Sequence, residues 1–284
     1  MIAACLRETA MSLPAATDLE AWTARALEAA RRAGATQAEA TAATSRALSV
    51  NVRMGEVESV EFQRDRDLTV TVYFGHRMGS ASTADLSETG VADTVRAACA
   101  IARVAGEDRC LGLADADRMA VEPPGGWPDL GLVNRWDLTP DAATALAQAT
   151  EAAAFAADAR VVQSEGASVD SREGIRLYAN SHGFTGLRHS TDHSISCAVI
   201  ARGGDKMQNG HDYTSARDAA ALLAPEAVGR EAGRRAAARL GARTLSTRKV
   251  PVLFAPEMAR GLIGHFLGAI SGGALYRKAS FLLD

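Results

Sequence analysis

The sequence is poor in aromatic residues, has no closely paired cysteines and contains no long apolar run. Aromatic residues make up only 5% of the 284 residues, which suits alanine-rich helices better than a large aromatic core. The four cysteines, Cys5, Cys99, Cys110 and Cys197, include no CxxC pair, which argues against a disulfide framework and favours a reducing compartment. No stretch approaches the roughly 20 apolar residues of a membrane helix, and the N-terminal apolar run is too short for export. We therefore expect a cytoplasmic protein without membrane contacts.

Motifs of several other functional classes are also missing. The net charge is −3, with no basic excess that would predict binding to nucleic acid. No GxSxG elbow accompanies Ser181, Ser190 or Ser194, although each lies beside a histidine, and no GxxxxGK phosphate-binding loop occurs. We expect these serines to be polar turn or sheet residues. Cys197 lies in an alternating apolar pattern, which is typical of a buried small side chain and not of a nucleophile.

The N-terminal part predicts a helix, a set of strands and a second helix. A capping box with Thr17 as N-cap and Glu20 three residues later predicts the first helix, which ends at Gly34. Apolar residues then alternate on both sides of a turn at Met54-Gly55, as expected of strands with one buried face. Apolar residues at helical spacing predict the second helix over residues 85–104.

The central part repeats this arrangement after a linker. The stretch Glu122 to Pro128, EPPGGWP, cannot continue a helix or strand. Thr139 then predicts a helix cap, with Pro140 in the first turn. A second β region is expected over residues 160–207, followed by a helix over residues 225–240.

The C-terminal part changes character. Val250 to Phe254 predicts a short strand, and Pro256 opens a helix that should stop at Ser271 to Gly273. The final apolar run suggests a chain that ends within a strand, lacks a C-terminal half and is poorly soluble. The predicted fold class is α+β, with helix-flanked antiparallel sheets in an N-terminal and a central domain. The predicted domains are residues 17–115, residues 130–241, and residues 249–284 as the beginning of a β-rich C-terminal domain.

The predicted C-terminal helix, MARGLIGHFLGAISGG, raises the question of a zinc site. A zinc protease of the helical type carries two histidines on one helix and a glutamate that acts as general base. Here only His265 is available. Arg260, five residues earlier, cannot bind zinc, and Gly261 has no side chain that could act as a base. The glycines of this helix favour a close approach by another helix or a partner chain.

A second group of candidate metal ligands lies in the central part. His189 and His193 are four residues apart, and the surrounding alternation predicts a strand or turn. In a strand these two side chains would share a face about 13 Å apart, too far for one metal ion. Adding His182, His211 and Asp212 gives a possible cluster only if the fold gathers them. The alternative is a polar sheet face or loop.

Three stretches resemble the TldD/PmbA family, specifically its PmbA branch, also called TldE. The most specific lies within Lys249 to Asp284, KVPVLFAPEMARGLIGHFLGAISGGALYRKASFLLD, above all residues 256–280. Tyr178 to Gly183, YANSHG, resembles a turn of the family's central region, and Asn51 to Phe74 resembles its N-terminal domain. The resemblance covers essentially the whole chain.

The resemblance implies a two-subunit zinc metalloprotease of the bacterial and archaeal cytosol. The TldD subunit is expected to carry the HExxxH zinc helix, and the PmbA subunit to share its fold and pair with it around a cavity for unfolded or short peptides. In this chain Arg260 matches the first zinc histidine, Gly261 the glutamate and His265 the second histidine. The resemblance therefore implies a chain without catalytic residues or cofactor of its own, and zinc in its TldD-like partner.

Two alternatives remain open from the sequence. The chain could be a self-sufficient metal-dependent peptidase that uses His182, His189, His193 and His211. It could also be a non-proteolytic binding module, because older names link the family to the modulation of DNA gyrase.

Overall fold

A computed structural model of the protein describes residues 13–283, and its main element is one six-stranded antiparallel sheet. The strands are β1 (Gln37–Arg53), β2 (Glu56–Phe74), β3 (Arg77–Thr83), β4 (Val161–Asn180), β5 (Thr185–Gly203) and β6 (Lys206–Ala216). Their order across the sheet is β3-β2-β1-β4-β5-β6. The sheet therefore joins the two β regions through the pairing of β1 with β4.

Four helices cover one face of this sheet. They are α1 (Ala16–Arg32), α2 (Glu88–Val104), α3 (Pro140–Ala157) and α4 (Pro225–Arg239). Along β1, residues 38–42 contribute to a core with α1 and α2, and residues 48–52 contribute to a core with α3 and α4, through every second side chain. Alternate residues of a strand share a face, so both helix pairs lie on the same side. We call it the helix-covered face and the other side the open face.

The two halves of the sheet repeat one element order. The first half runs α1-β1-β2-β3-α2, and the second half runs α3-β4-β5-β6-α4. β1 and β4 are antiparallel neighbours at the centre of the sheet. From the centre outward, the order is β1, β2, β3 on one side and β4, β5, β6 on the other. Near the middle of this central pairing, Arg46 lies opposite Glu173.

The tip of the β1–β2 hairpin is tied to α3. Met54 and Gly55 both have positive φ, 54° and 83°, as in the tight turns that suit the twist of a two-stranded hairpin. Their backbone N–H groups donate to the buried carboxylate of Glu151, at 2.9 and 2.6 Å. Gln148 donates to the Gly55 carbonyl at 3.0 Å. The second half of the chain therefore holds the turn of the first half in place.

The mixed helix and antiparallel-sheet class is confirmed, and several local predictions hold. The Thr139 hydroxyl accepts from the Ala142 N–H at 3.2 Å, and Pro140 begins α3. The Met54-Gly55 turn is present, and residues 122–128 contain no helix or strand. The domain boundaries drawn from the sequence remain predictions, although the strands of the first two domains form a single sheet.

Other local predictions were wrong. The first helix begins at Ala16 with Ala15 as N-cap, so Thr17 is inside it, and Asp18 supplies the carboxylate that accepts from the Ala15 N–H at 3.1 Å. The strands also extend beyond the segments whose apolar residues alternate. Residues 56–67 belong to β2 although they are mostly exposed on both faces. The second β region extends through β6 to Ala216, beyond the predicted end at residue 207.

Residues 242–284 form a separate compact unit. Within its described part lie α5 (Pro256–Ala269) and α6 (Gly272–Tyr276), and no strand occurs there. The predicted strand at residues 250–254 was wrong, since an apolar run needs a neighbouring strand and Leu253 is 98% exposed. Ser271 follows α5 as predicted, but it also caps α6 by accepting from the Ala274 N–H at 3.3 Å. Residues 280–283 are not a strand either.

Two further points from the sequence concern the N-terminal cysteine and membrane-spanning helices. Cys5 lies outside the described residues. Among residues 13–283, no helix is long and apolar enough to cross a membrane.

Candidate functional site

A groove with a volume of about 590 Å³ lies on the helix-covered face of the sheet. It is lined by residues 46–48 of β1, residues 62–64 of β2, residues 171–173 of β4 and the segment before α3. We call that segment, residues 131–138, the crossing segment, because it is bonded across β5. The Thr191 N–H donates to the Leu132 carbonyl, and the Asn134 N–H donates to the Thr191 hydroxyl, both at 2.9 Å.

The charged centre of this groove is Glu173, whose side chain is only 7% exposed. Arg46 of β1 donates to one carboxylate oxygen through Nε at 2.9 Å and Nη2 at 2.5 Å. Arg135 of the crossing segment donates to the other oxygen through Nε at 3.0 Å, with Nη2 at 2.9 Å. His189 of β5 contacts this second oxygen through Nε2 at 2.8 Å. Glu173 therefore joins three parts of the fold.

The protonation behaviour of Glu173 follows from these contacts. Burial alone would raise its pKa, but hydrogen bonds from Arg135, Arg46 and His189 outweigh burial and lower the pKa to about 2. A carboxylate with so low a pKa is a poor general base near neutral pH. Glu173 is therefore suited to hold the two arginines in position.

The side of the groove along the crossing segment is formed by Trp136 and His193. His193 is buried in β5, and its Nε2 donates to the Asn134 carbonyl at 2.8 Å. Its Nδ1 is 3.0 Å from the Ser171 hydroxyl. The Trp136 ring meets the imidazole edge to face, with 5.4 Å between ring centres. On the opposite side of the groove, Phe62 of β2 is largely exposed.

The side chains of this groove suit the binding of a ligand. The groove combines arginine N–H donors with aromatic and aliphatic walls, which suits a ligand that has a carboxylate and an apolar part. The groove also contains one hydroxyl and imidazole pair, Ser171 and His193, at 3.0 Å. His193 is buried and its other ring nitrogen is bound to the Asn134 carbonyl, so this pair holds the crossing segment against β5.

The structure does not gather the histidines considered as metal ligands. His189 and His193 lie on the helix-covered face in separate contacts, whereas His211 lies on the open face of β6. His182 lies in the turn after β4, with Nδ1 3.1 Å from the Ala114 carbonyl. Asp212 pairs with Arg235 of α4 at 3.3 Å. In the part of the chain that the structure describes, no three histidine, cysteine, aspartate or glutamate residues are grouped to hold a metal ion.

The serine and cysteine candidates have structural roles. Ser181 accepts from the Ala38 N–H at 3.0 Å, and Ser194 donates to Asp170 at 3.3 Å. Ser190 lines a hollow on the open face. Cys197 is buried, and this burial, with a smaller effect of the Glu151 charge, raises its pKa to about 12. The prediction of a core cysteine is confirmed.

Arg260, Gly261 and His265 lie on α5 at the predicted spacing. A zinc ion would have one histidine ligand from this set, because a guanidinium cannot bind the metal and Gly261 offers no side chain. These residues therefore do not fit a zinc site. Within residues 242–283, a Cβ added at Gly261, Gly264 or Gly268 would meet no atom within 4 Å, so the predicted close approach by another helix or a partner chain stays a prediction.

Sequence reasoning missed Glu173, Arg46, Arg135 and Trp136. One signal was available, because Glu173 occupies an inward position of an alternating strand, between Val169 and Ile175. An acidic residue at such a position predicts a buried, paired charge. Its partners come from β1 and from an irregular segment, so they could not be identified by spacing.

Comparisons with known proteins agree with this fold. Residues 38–102 match the sequence profile of PmbA/TldA metallopeptidase domain 1, and residues 134–240 match that of the PmbA/TldA metallopeptidase central domain. The chain is 45% identical over 259 residues to the metalloprotease PmbA homolog of Haemophilus influenzae, covering 91% of this chain and 56% of that protein. It is 45% identical over 247 residues to metalloprotease PmbA of Escherichia coli O157:H7, covering 87% and 54%.

Solved structures give the same result at the level of the fold. A protein of Bacteroides thetaiotaomicron, described as a candidate modulator of DNA gyrase, superposes with a TM-score of 0.84 at 26% identity, covering 93% of this chain and 60% of that chain. TldE of Thermococcus kodakarensis superposes with a TM-score of 0.66 at 16% identity, covering 90% and 56%. The chain spans about half the length of the curated relatives it matches. It belongs to the PmbA/TldD metallopeptidase family, on the PmbA (TldE) side.

Proposed function

We propose that this chain acts in the cytoplasm as the non-catalytic, PmbA/TldE-like subunit of a zinc peptidase that cleaves unfolded or short peptides. In this proposal a TldD-like partner chain supplies the zinc ion and the general base. The observation that carries the proposal is the pair Arg260 and Gly261 on α5, because these residues stand where the family resemblance implies a histidine and a glutamate.

The chemistry of peptide hydrolysis supports this assignment. A catalytic zinc ion needs about three protein ligands and an open position for water, and a nearby carboxylate takes the proton of that water. Of the three matching positions on helix α5, only His265 offers a zinc ligand, and none offers a carboxylate. The names of the relatives, which are metalloproteases, support this class of reaction, and the arginine-lined groove gives this chain a surface that suits peptide ligands.

A self-sufficient metal peptidase has less support, because the four candidate histidines, His182, His189, His193 and His211, are not gathered in the described residues. Binding to gyrase has no supporting surface in the described residues. The net charge of −3 and the mixed charges of the groove give no reason to prefer it.

The test is the zinc content and the peptidase activity of the purified chain, alone and with a TldD-like chain. Alone, we expect far less than one zinc ion per chain after dialysis and no hydrolysis of an unstructured peptide. With the partner, we expect hydrolysis and co-purification. His265→Ala serves as a matched control and should change neither the zinc content nor the activity of the mixture.

One full equivalent of zinc in the isolated chain, together with peptide hydrolysis that His189→Ala or His193→Ala abolishes, would overturn the proposal. Co-purification with gyrase and not with a TldD-like chain would favour the binding-module alternative.

A further inference from the structure

The outer edge of β2 is unpaired over residues 56–67. β3 pairs with β2 only from Leu68 to Phe74, and within residues 13–283 no other strand pairs with the earlier part of β2 on this side. These twelve residues extend for about 40 Å, at the usual rise per residue of a strand. They include no proline, which is one of the features that block exposed sheet edges. Their outward N–H and C=O groups can therefore pair with another extended segment.

The two faces of this free edge differ in chemistry. On the helix-covered face, Val57, Val60 and Phe62 are 46%, 42% and 59% exposed. The register with β1 places Arg64 and Arg66 on the same face, further along the strand. An added strand would therefore meet apolar side chains at one end of this face and arginines at the other.

On the open face the edge is acidic. Glu61, Asp65 and Asp67 point to this side, opposite Ser49, Ser45 and Ala43 of β1. An added strand would meet carboxylates there at three of the four open-face positions from 61 to 67, with Gln63 at the other. Opposite charges across a strand pair stabilise it, and like charges directly opposite destabilise it.

This charge pattern selects the occupant. Two copies of the chain, paired antiparallel through this edge, would bring the open-face carboxylates of both copies together. An extended peptide with basic residues on one face, and apolar and acidic residues on the other, would instead match both faces. On the helix-covered face its side chains would lie beside Phe62 and Arg64, which form one side of the groove.

We propose that residues 56–67 of β2 form a strand-addition site for an extended peptide with alternating basic and apolar-acidic positions. Main-chain hydrogen bonds supply sequence-tolerant affinity, and the two faces supply the preference. The inference rests on the proposed function only in taking a peptide as ligand. It does not depend on which chain holds zinc.

The test uses the 284-residue chain and a labelled nine-residue peptide, KEKEKVKVK. Paired antiparallel, three of its five lysines face Asp67, Asp65 and Glu61, its glutamates face Arg66 and Arg64, and its valines face Phe62 and Val60. Two further peptides carry N-methyl groups, one at the odd and one at the even positions. Because alternate N–H groups of a strand point to opposite sides, one methylated peptide should bind at least about tenfold more weakly. The other should bind like the parent.

Variants of the protein complete the test. Phe62→Lys places a charge on the apolar end of the site and should weaken binding at least about tenfold. Met207→Lys is a matched control, since Met207 is an exposed residue on the other edge strand, β6, and it should leave binding unchanged. Circular dichroism of both variants should match that of the unmodified chain.

Equal binding of the three peptides, or no effect of Phe62→Lys, would overturn the inference. So would self-association of the chain that Phe62→Lys abolishes, because the edge would then belong to a second copy. These outcomes leave the zinc result untouched, so failure here and failure of the proposed function are distinguishable.

Discussion

At the scale of single residues, Glu173 organises the charged side chains of the groove. Glu173 is buried among Arg46, Arg135 and His189, and it is ionised at neutral pH because their hydrogen bonds outweigh the cost of burial. Its three partners come from β1, the crossing segment and β5. A single side chain therefore fixes the geometry of the groove.

The stability of the protein should fall in acid through this residue. The pKa of Glu173 is near 4.5 when unfolded and about 2 when folded, so its contribution is fully present above pH 4.5 and is lost as the pH falls towards 2. Glu173→Gln should lower the free energy of unfolding at pH 7 by about 1–3 kcal/mol, since Arg46 and Arg135 are partly solvated. Urea unfolding at several pH values measures this.

The difference between the variant and the unmodified chain should shrink as the pH falls from 4.5 to 2. Glu165→Gln, at an exposed position of the same strand, is the control and should change little. A Glu173→Gln protein with unchanged stability at pH 7 would show that the ion pairs contribute nothing.

At the scale of elements, α3 and α4 pack through glycine. A Cβ added at Gly229 would lie 1.9 Å from the Thr150 carbonyl oxygen, and one added at Gly233 would lie 2.4 Å from the Ala154 carbonyl oxygen. The backbones of the two helices therefore touch. Sequence reasoning expected such contacts in α5 and missed them in α4, because glycine spacing along a helix does not show which neighbour it meets.

Replacing a glycine by alanine should have opposite effects on stability in α4 and in α5. Gly229→Ala must push α3 and α4 apart and should cost about 2–3 kcal/mol of unfolding free energy. Gly261→Ala meets open space and should gain about 0.5–1 kcal/mol of local helix stability. Urea unfolding and far-ultraviolet circular dichroism measure the two effects. Equal stability of the Gly229→Ala protein would contradict the packing described.

The elements that the sequence predicted well are those whose signals are local. The Thr139 cap, the Met54-Gly55 turn and the apolar face of α2 depend on neighbours within a few residues. The β1–β4 pairing depends on residues such as Ala42 and Leu177, which are far apart in the chain. The sequence of neither strand indicates which strand it pairs with. The groove could not be predicted for the same reason.

At the scale of the whole molecule, both hydrophobic cores lie within residues 13–241. Every buried residue of the two clusters falls between Leu19 and Leu240. Residues 242–283 keep most of their apolar side chains exposed. The sheet and its four helices therefore contain the main interior that a folded domain needs.

Removal of the second unit should leave the first one folded. A chain that stops after Gly241 should melt within about 2–3 °C of the full-length chain, since both cores remain complete. A chain that stops after Ala224 loses α4 and part of one core, and it should melt at a much lower temperature. Calorimetry of the three chains measures this, and a large loss in the first truncation would contradict it.

Because the two halves of the sheet repeat one element order, the central Arg46–Glu173 pair also affects which strands can pair at the centre of the sheet. Without the other half, β1 of the first half and β4 of the second half would each have an unpaired edge. Two copies of the first half, meeting in the same register, would set Arg46 against Arg46, and two copies of the second would set Glu173 against Glu173. Only the join between unlike halves pairs opposite charges. Because like charges directly opposite destabilise a strand pair, Arg46 and Glu173 favour pairing between the two different halves over pairing between identical halves of two molecules.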